Sequence, residues 1–515
     1  LVQAFVVAAG RAIDAGYDGV EVHGAHTYLI GSMMSPALNK RIDKYGGSFE
    51  NRMRFPREII SGIRKKYPEL PVGFKMSAYE HLDGGVDIGL AQEIARHVAA
   101  LGVAYLHPST SAVTFEYMDE WSAVPVMYMP RNTLIPLTIR IKEAAPETPV
   151  IGTGGVAVPK EAEELLASGK CDMIALGRSS MADPFWPNHA RESGRVVPCI
   201  RCNVCYKQLW AGETLWCSVN PYLLREAEQE LSMPVRKKKV LIAGAGPAGM
   251  RCALTAAKRG HEVILCEKRP YIGGMVYPGS RPRCKEDMTR LLDWFQAELN
   301  ESSVQLRLNT EVTPELVERE APDALVLAVG AEPALPDVPG IDKPSVVSAV
   351  EVLRNIRMFR GKKAVVIGGG DVGCESAYHL ADNGWETVIV EMLPELLMES
   401  PVVDTRPPLK ALLTEKHITV FTNTRLNAVT DDGAEVILPN GKQGGIDADL
   451  VVMATGFRPP MLINPGDVSR HIAPSSGPLG KLASHAAETH IIGDCASPAR
   501  IREAVEAGER VGRWV

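Results

Sequence analysis

Residues 239–267 read KVLIAGAGPAGMRCALTAAKRGHEVILCE, and residues 363–391 repeat the plan as KAVVIGGGDVGCESAYHLADNGWETVIVE. In each, an apolar strand leads into three glycines at GxGxxG spacing, and a helical pattern follows. The glycines are Gly244, Gly246 and Gly249 in the first copy and Gly368, Gly370 and Gly373 in the second. An acid, Glu267 or Glu391, closes the next apolar run eighteen residues after the third glycine. Glycines at these places allow a tight turn and the close approach of a pyrophosphate to a helix N-terminus, while the acid accepts hydrogen bonds from ribose hydroxyls. One such turn could simply pack a helix on a strand. Two copies with the acid at the same distance predict two Rossmann-like dinucleotide domains. Glu391 would repel a 2′-phosphate and is followed by Met392 rather than an arginine, so the second site is expected to take NADH in preference to NADPH.

Upstream, short apolar runs alternate with helical stretches. The runs are DGVEVHG (18–24), PVGFKMSAY (71–79), VAYLHPS (103–109), PVIGTGG (149–155) and CDMIALGR (171–178), with helices such as LAQEIARHVAALG (90–102) between them. Strand then helix five times over argues for parallel strands with crossover helices, and polar residues gather at the C-terminal ends of the strands, where α/β barrels carry their sites. Five strands do not close an eight-stranded barrel. The expected fold is therefore α/β: the last five strands of a (β/α)8 TIM barrel, then a cysteine-rich segment and two nucleotide domains.

At 515 residues the chain is too long for one core, and 45% hydrophobic with 23% charged residues is ordinary globular composition. A net charge of −6 offers no basic excess for phosphate backbones, so nucleic acid is not an expected partner. Without an eighteen-residue apolar run or a signal-peptide pattern, no membrane association is expected and a cytoplasmic location is. Six of the ten cysteines are scattered in apolar runs, as reduced core thiols would be.

The other four crowd into CIRCNVCYKQLWAGETLWC, residues 199–217. Cys199, Cys202 and Cys205 form CxxCxxC, and Cys217 follows at a distance. Structural zinc sites more often pair one CxxC with another, whereas three close thiolates and a distant fourth suit a [4Fe–4S] cluster. Spacing alone leaves cluster, zinc and free thiols open. A charged linker, MPVRKKK (233–239), separates this segment from the first glycine turn.

Two further stretches, ALVLAVGAEP (324–333) and LVVMATGFRP (450–459), resemble the strand-then-glycine connections of two-domain flavoprotein reductases, and HIIGDCASPARIREAVEAG (490–508) resembles their final FAD segment. The resemblance implies FAD at the first glycine turn with Asp494 on its ribityl chain, and a nicotinamide nucleotide at the second. The expected division is 1–198 barrel, 199–235 cysteine segment and linker, 236–340 with 471–515 FAD domain, and 341–470 NAD(H) domain.

The segment GYDGVEVHGAHTYLIGSMMSPALNKRIDKYGGSFENRMRFP (16–56) closely resembles the fourth strand and following loop of the flavin-dependent Old Yellow Enzyme barrels. The order of all four motifs resembles the 2,4-dienoyl-CoA reductase, 2-enoate reductase and trimethylamine dehydrogenase group. Three further strands precede this segment in that family. The resemblance implies that His23 and His26 bind a substrate carbonyl oxygen and that Tyr28 protonates the α-carbon, roles their chemistry allows. It also implies FMN in the barrel, with Lys75 beside the flavin ring and Gly154, Gly155, Gly177 and Arg178 at its phosphate. Out of context, the histidines and Tyr28 could be packing residues and Lys75 a snorkelling surface lysine.

By this resemblance the chain is expected to be an NADH-dependent ene-reductase, electrons running from NADH through FAD and the cluster to FMN and the C=C bond of an enoate, enone or enoyl-CoA. An amine or other dehydrogenase of the trimethylamine dehydrogenase type, feeding an electron-transfer protein, is the alternative, as is a barrel-truncated fragment with NADH diaphorase activity only. The expected partner is a small unsaturated carbonyl compound, and a homo-oligomer is compatible with the reading. The loop 109–130, with Phe115, Tyr117, Trp121 and Tyr128, could line an apolar pocket or simply pack.

Overall fold

The computed structural model describes residues 1–111, 122–460 and 482–515, with Ser111 described by its backbone alone. Phe115, Tyr117 and Trp121 lie outside the described residues, and Tyr128 is buried. The chain divides into two compact units, residues 1–180 with 185–196, and residues 181–184 with 197–515.

In the first unit all five expected strands form: β1 (Val20–Gly24), β2 (Val72–Glu80), β3 (Tyr105–Ser111), β4 (Ile151–Gly152) and β5 (Met173–Ile174). Every pairing is parallel, β1 to β2 to β3 and β4 to β5, and a bridge from Leu106 to Val150 links the two groups. A helix precedes each strand after the first. The helix Arg54–Lys66 buries Phe55, Ile59, Ile60 and Ile63 along one stripe and ends in Arg64, Lys65 and Lys66, cations favoured by the C-terminal end of its dipole. The helix Ile88–Ala100 starts where the Asp87 carboxylate accepts from Leu90 N at 2.8 Å. In β2, Phe74, Met76 and Ala78 are fully buried on one face, as a central parallel strand requires. Lys75, on the other, is only half-buried. Among the described residues β1 and β5 each pair with one neighbour.

The second unit contains two parallel sheets of like design. The first runs β20-β9-β6-β7-β8, from β6 (Lys239–Ala243), β7 (Glu262–Cys266), β8 (Gln305–Arg307), β9 (Ala324–Leu327) and β20 (Glu488–Ile491). The second runs β11-β18-β12-β13-β14, from β11 (Val346–Ser348), β12 (Lys363–Ile367), β13 (Glu386–Val390), β14 (Thr419–Phe421) and β18 (Leu450–Met453). β9 and β18 are buried at every position, which explains why both read as unbroken apolar runs. An antiparallel sheet, β15 (Arg425–Val429), β16 (Gly433–Ile437) and β17 (Gln443–Asp447), packs beside the second. The chain leaves the first sheet through β10 (Glu332–Pro333) and returns through β19 (Phe457–Arg458), and these crossings pair antiparallel. The expected boundary at 340/341 falls between β10 and β11, while that at 470/471 lies outside the described residues.

Candidate active site and cofactor cradles

Register gathers the barrel-type site. His23 on β1 lies beside Lys75 on β2, which lies beside His107 on β3, so the three share one row across the sheet. After β1, His26 and Thr27 both take left-handed backbone, φ 58° and 55°, and this reversal puts Tyr28 at the start of the helix Leu29–Met34. The ring centroids stand 5.1 Å apart for His23 and His26, 5.3 Å for His23 and Tyr28, and 6.5 Å for His26 and Tyr28. All three expected catalytic residues are thus brought together, with Tyr28 largely exposed.

Hydrogen bonds fix the imidazoles. His23 Nδ1 accepts from Ala25 N at 3.3 Å, which leaves the proton of a neutral ring on Nε2. His26 Nε2 lies 2.8 Å from Ser109 Oγ, and His26 N donates to Ser77 Oγ at 3.2 Å. Burial, reinforced by the Lys75 charge, holds His23 below the ordinary imidazole value and pushes His26 down to about 4. His26 is therefore a neutral ring at pH 7. Burial also lowers Lys75, against the pull of Glu21. Glu21 itself is raised by burial but brought below its ordinary value overall, chiefly by His107, whose Nδ1 is 2.9 Å from Glu21 Oε2. Sequence reasoning missed Glu21 and His107. The available signal was the strand's period of two, which puts Glu21 on the same face as His23.

The two expected FMN phosphate turns follow β4 and β5, which are paired neighbours. Gly154 and Gly155 take φ of 113° and 100°, and a Cβ on Gly154 would stand 2.9 Å from Leu134. Gly177 faces open space. Ser179 Oγ ties the turns together by donating to Val156 O at 2.7 Å, while Arg178 Nη2 donates to Pro125 O at 2.7 Å.

At the nucleotide turns the glycines divide into two kinds. A Cβ on Gly249 or Gly373 would stand 1.9 Å from the carbonyl oxygen of Gly244 or Gly368, and Gly244 and Gly368 have φ of 105° and 107°. These four are demanded by the protein itself. Gly246 and Gly370 are different: their backbone is ordinary extended chain, φ −77° and −74°, and no protein atom within 3.5 Å opposes a side chain. Such room at a helix N-terminus fits a pyrophosphate. Glu267 and Glu391 fold back on the turns, their Oε2 atoms accepting from Ala245 N at 3.0 Å and Gly369 N at 2.6 Å. Asp494 lies at the same turn, because a Cβ on the preceding Gly493 would come 3.0 Å from Ala248. Burial raises its pKa, and its Oδ1 accepts from Ala499 N.

The cysteine segment also converges. Cys202 Sγ lies 3.2 Å from Ser218 Oγ, so the residue after the distant fourth cysteine, Cys217, comes beside the motif. Arg201 and Asn203, interleaved with the cysteines, take left-handed backbone with φ of 49° and 56°. Such alternation turns N–H groups into one concavity, the nest that receives anionic groups and iron–sulfur clusters. Among the described residues no three His, Cys, Asp or Glu side chains are gathered to hold a single metal ion. Four thiols on one short segment beside such a nest are a donor set that fits a [4Fe–4S] cluster.

Comparison with known proteins agrees with this arrangement. Residues 1–195 match the model of the NADH:flavin oxidoreductase / NADH oxidase family. Residues 238–508 match the pyridine nucleotide-disulphide oxidoreductase model. The chain belongs to the NADH:flavin oxidoreductase / NADH oxidase family. It is 36% identical to an NADH oxidase of Thermoanaerobacter brockii, over 99% of this chain and 77% of the relative. It is 35% identical to a cinnamate reductase of Clostridium sporogenes, over 88% of this chain and 70% of the relative. The solved structure of a 2-naphthoyl-CoA reductase in complex with 2-naphthoyl-CoA superposes with a TM-score of 0.91 at 30% identity, covering 100% of this chain and 76% of that one. Like those relatives this member is an oxidoreductase with an FMN-type α/β domain and a pyridine-nucleotide module. Among the described residues no helix is long and apolar enough to cross a membrane.

Proposed function

We propose that the protein is an NADH-dependent ene-reductase acting on α,β-unsaturated carbonyl compounds, and that its first unit corresponds to the last five strands of an eight-stranded barrel. The observation that carries this is the grouping of His23, His26 and Tyr28 within 6.5 Å of one another. As a conjugated C=C bond is reduced, its electron pair moves toward the carbonyl and negative charge builds on oxygen. Two neutral imidazoles about 5 Å apart, centre to centre, can direct N–H groups at one such oxygen. Tyr28, exposed beside them, supplies the proton that the α-carbon takes up, and its phenolate recovers a proton from solvent. Lys75 would lie beside FMN with the turns at Gly154–Gly155 and Gly177–Arg178, FAD and NADH would occupy the first and second glycine turns, and Cys199, Cys202, Cys205 and Cys217 would hold a [4Fe–4S] cluster; when bound, these groups supply hydride and single-electron transfer. The names of the cinnamate and naphthoyl-CoA reductases, a conjugated acid and a conjugated thioester, support the substrate class.

Replacing Tyr28 with Phe should slow enone or enoate reduction by about a hundredfold while leaving NADH-driven flavin bleaching unchanged. Equal loss of both steps, or amine-driven acceptor reduction in place of enone reduction, would overturn the assignment. The histidine chemistry gives a pH test. Between pH 6.5 and about 4 an unfolded imidazole is protonated while folded His26 is not, so acidification across that window weakens the folded site. Carbonyl binding should then hold from pH 8 to about 5 without an inflection at 6.5 due to His26.

A further inference from the structure

Between Cys199 and Cys202 lies an arginine whose side chain is almost completely removed from solvent. Arg201 Nε donates to Asp287 Oδ2 at 2.7 Å, and the two side chains are 5% and 1% exposed. Asp287 is the second residue of the helix Glu286–Glu301, where the dipole favours an anion. Eighty-six residues separate the partners in sequence. Arg201 also carries the left-handed φ of 49°, a conformation that a residue with a side chain keeps only when its surroundings hold it there. The left-handed bend between two of the cysteines and the buried ion pair therefore belong to the same residue.

We propose that Asp287 is a positioning residue for the cysteine loop: by holding the Arg201 guanidinium it fixes the bend that sets Cys199 and Cys202 for their cluster. The inference rests on the cluster reading above. A second buried pair on the same short segment provides the contrast, since Lys285 Nζ donates to Glu375 Oε1 at 2.6 Å with side chains 9% and 6% exposed. That pair joins the helix Asp371–Asp382 of the second nucleotide domain. Removing one partner of either pair disturbs a buried ion pair, so general damage should be similar for both. Only the pair with Asp287 controls the bend.

The test compares the full chain with Asp287→Asn, Asp287→Glu and Glu375→Gln after anaerobic reconstitution with iron and sulfide. Cluster lifetime is followed by visible absorbance under an iron chelator, with iron and FAD counted per chain. In the iron-free protein, alkylation of each cysteine by iodoacetamide is followed by mass spectrometry. Asp287→Asn should shorten the cluster lifetime about tenfold and speed alkylation of Cys199 and Cys202, with FAD content unchanged. Asp287→Glu should recover most of the lifetime, and Glu375→Gln should stay within about twofold of the parent. An unchanged lifetime in Asp287→Asn, or an equal loss in Glu375→Gln, overturns the proposal. If the parent takes up no iron, the cluster reading fails by itself, and equal alkylation rates in parent and Asp287→Asn then overturn the positioning role separately.

Discussion

The two glycine turns share spacing, sheet order and acid, yet their surroundings differ. Over the first, Gly273 and Gly274 close down: Gly273 N donates to Ala245 O at 2.8 Å, and a Cβ on Gly246 would come within 3.8 Å of Gly274 Cα. Over the second, Leu397 N makes the matching bond to Gly369 O at 2.9 Å, but no glycine follows it, and the space at Gly370 is open to 4 Å. The helix starts differ as well. The first begins with Pro247, without charge, and the second with Asp371, whose carboxylate is met by Arg500 at 2.7 Å. An enclosed turn suits a nucleotide that stays through many turnovers. An open one suits a nucleotide that must leave after each. The contrast supports FAD in the first site and NADH in the second.

The largest expected effects come from the third glycines. Gly249→Ala and Gly373→Ala each force a Cβ onto a carbonyl oxygen 1.9 Å away, which should destabilise the affected domain by about 3 kcal/mol or more in a thermal melt. If the contrast is right, the first variant emerges without FAD, whereas the second keeps FAD and loses its response to NADH. Next come the second glycines, where stability and binding should part. Gly370→Ala meets no protein atom, so the melting temperature should hold or rise slightly while NADH binding weakens about tenfold in a titration. Gly246→Ala should show itself as flavin lost on dilution. Smallest is the charge at the second helix start. With side chains 48% and 23% exposed, the Arg500–Asp371 pair is weak, so Arg500→Met should raise the KM for NADH about threefold, less so in high salt. Adding Asp371→Asn should restore it.

What the sequence made legible follows from how far apart the partners lie along the chain. The glycine turns, the five upstream strands and His23, His26 and Tyr28 are encoded within one strand–turn–helix each, where spacing and periodicity speak directly. The pairs Glu21–His107 and Arg201–Asp287 each join residues eighty-six positions apart and depend on register or packing that local pattern does not carry. The two kinds of glycine within one motif were likewise indistinguishable as letters. Gly249 and Gly246 separate only once Gly244 O and the empty space beside the helix are in place.

The paired crossings β10 and β19 bear on how such a chain could have been assembled. Ala334 N donates to Gly456 O at 2.9 Å, so the insert enters and leaves through a single doorway one hydrogen bond wide. No strand of the first nucleotide sheet lies between those residues. Recombination at that doorway could exchange the whole second domain as a cassette without breaking the host sheet. Any replacement would have to bring its own anion for Lys285, whose present partner, Glu375, would leave with the cassette.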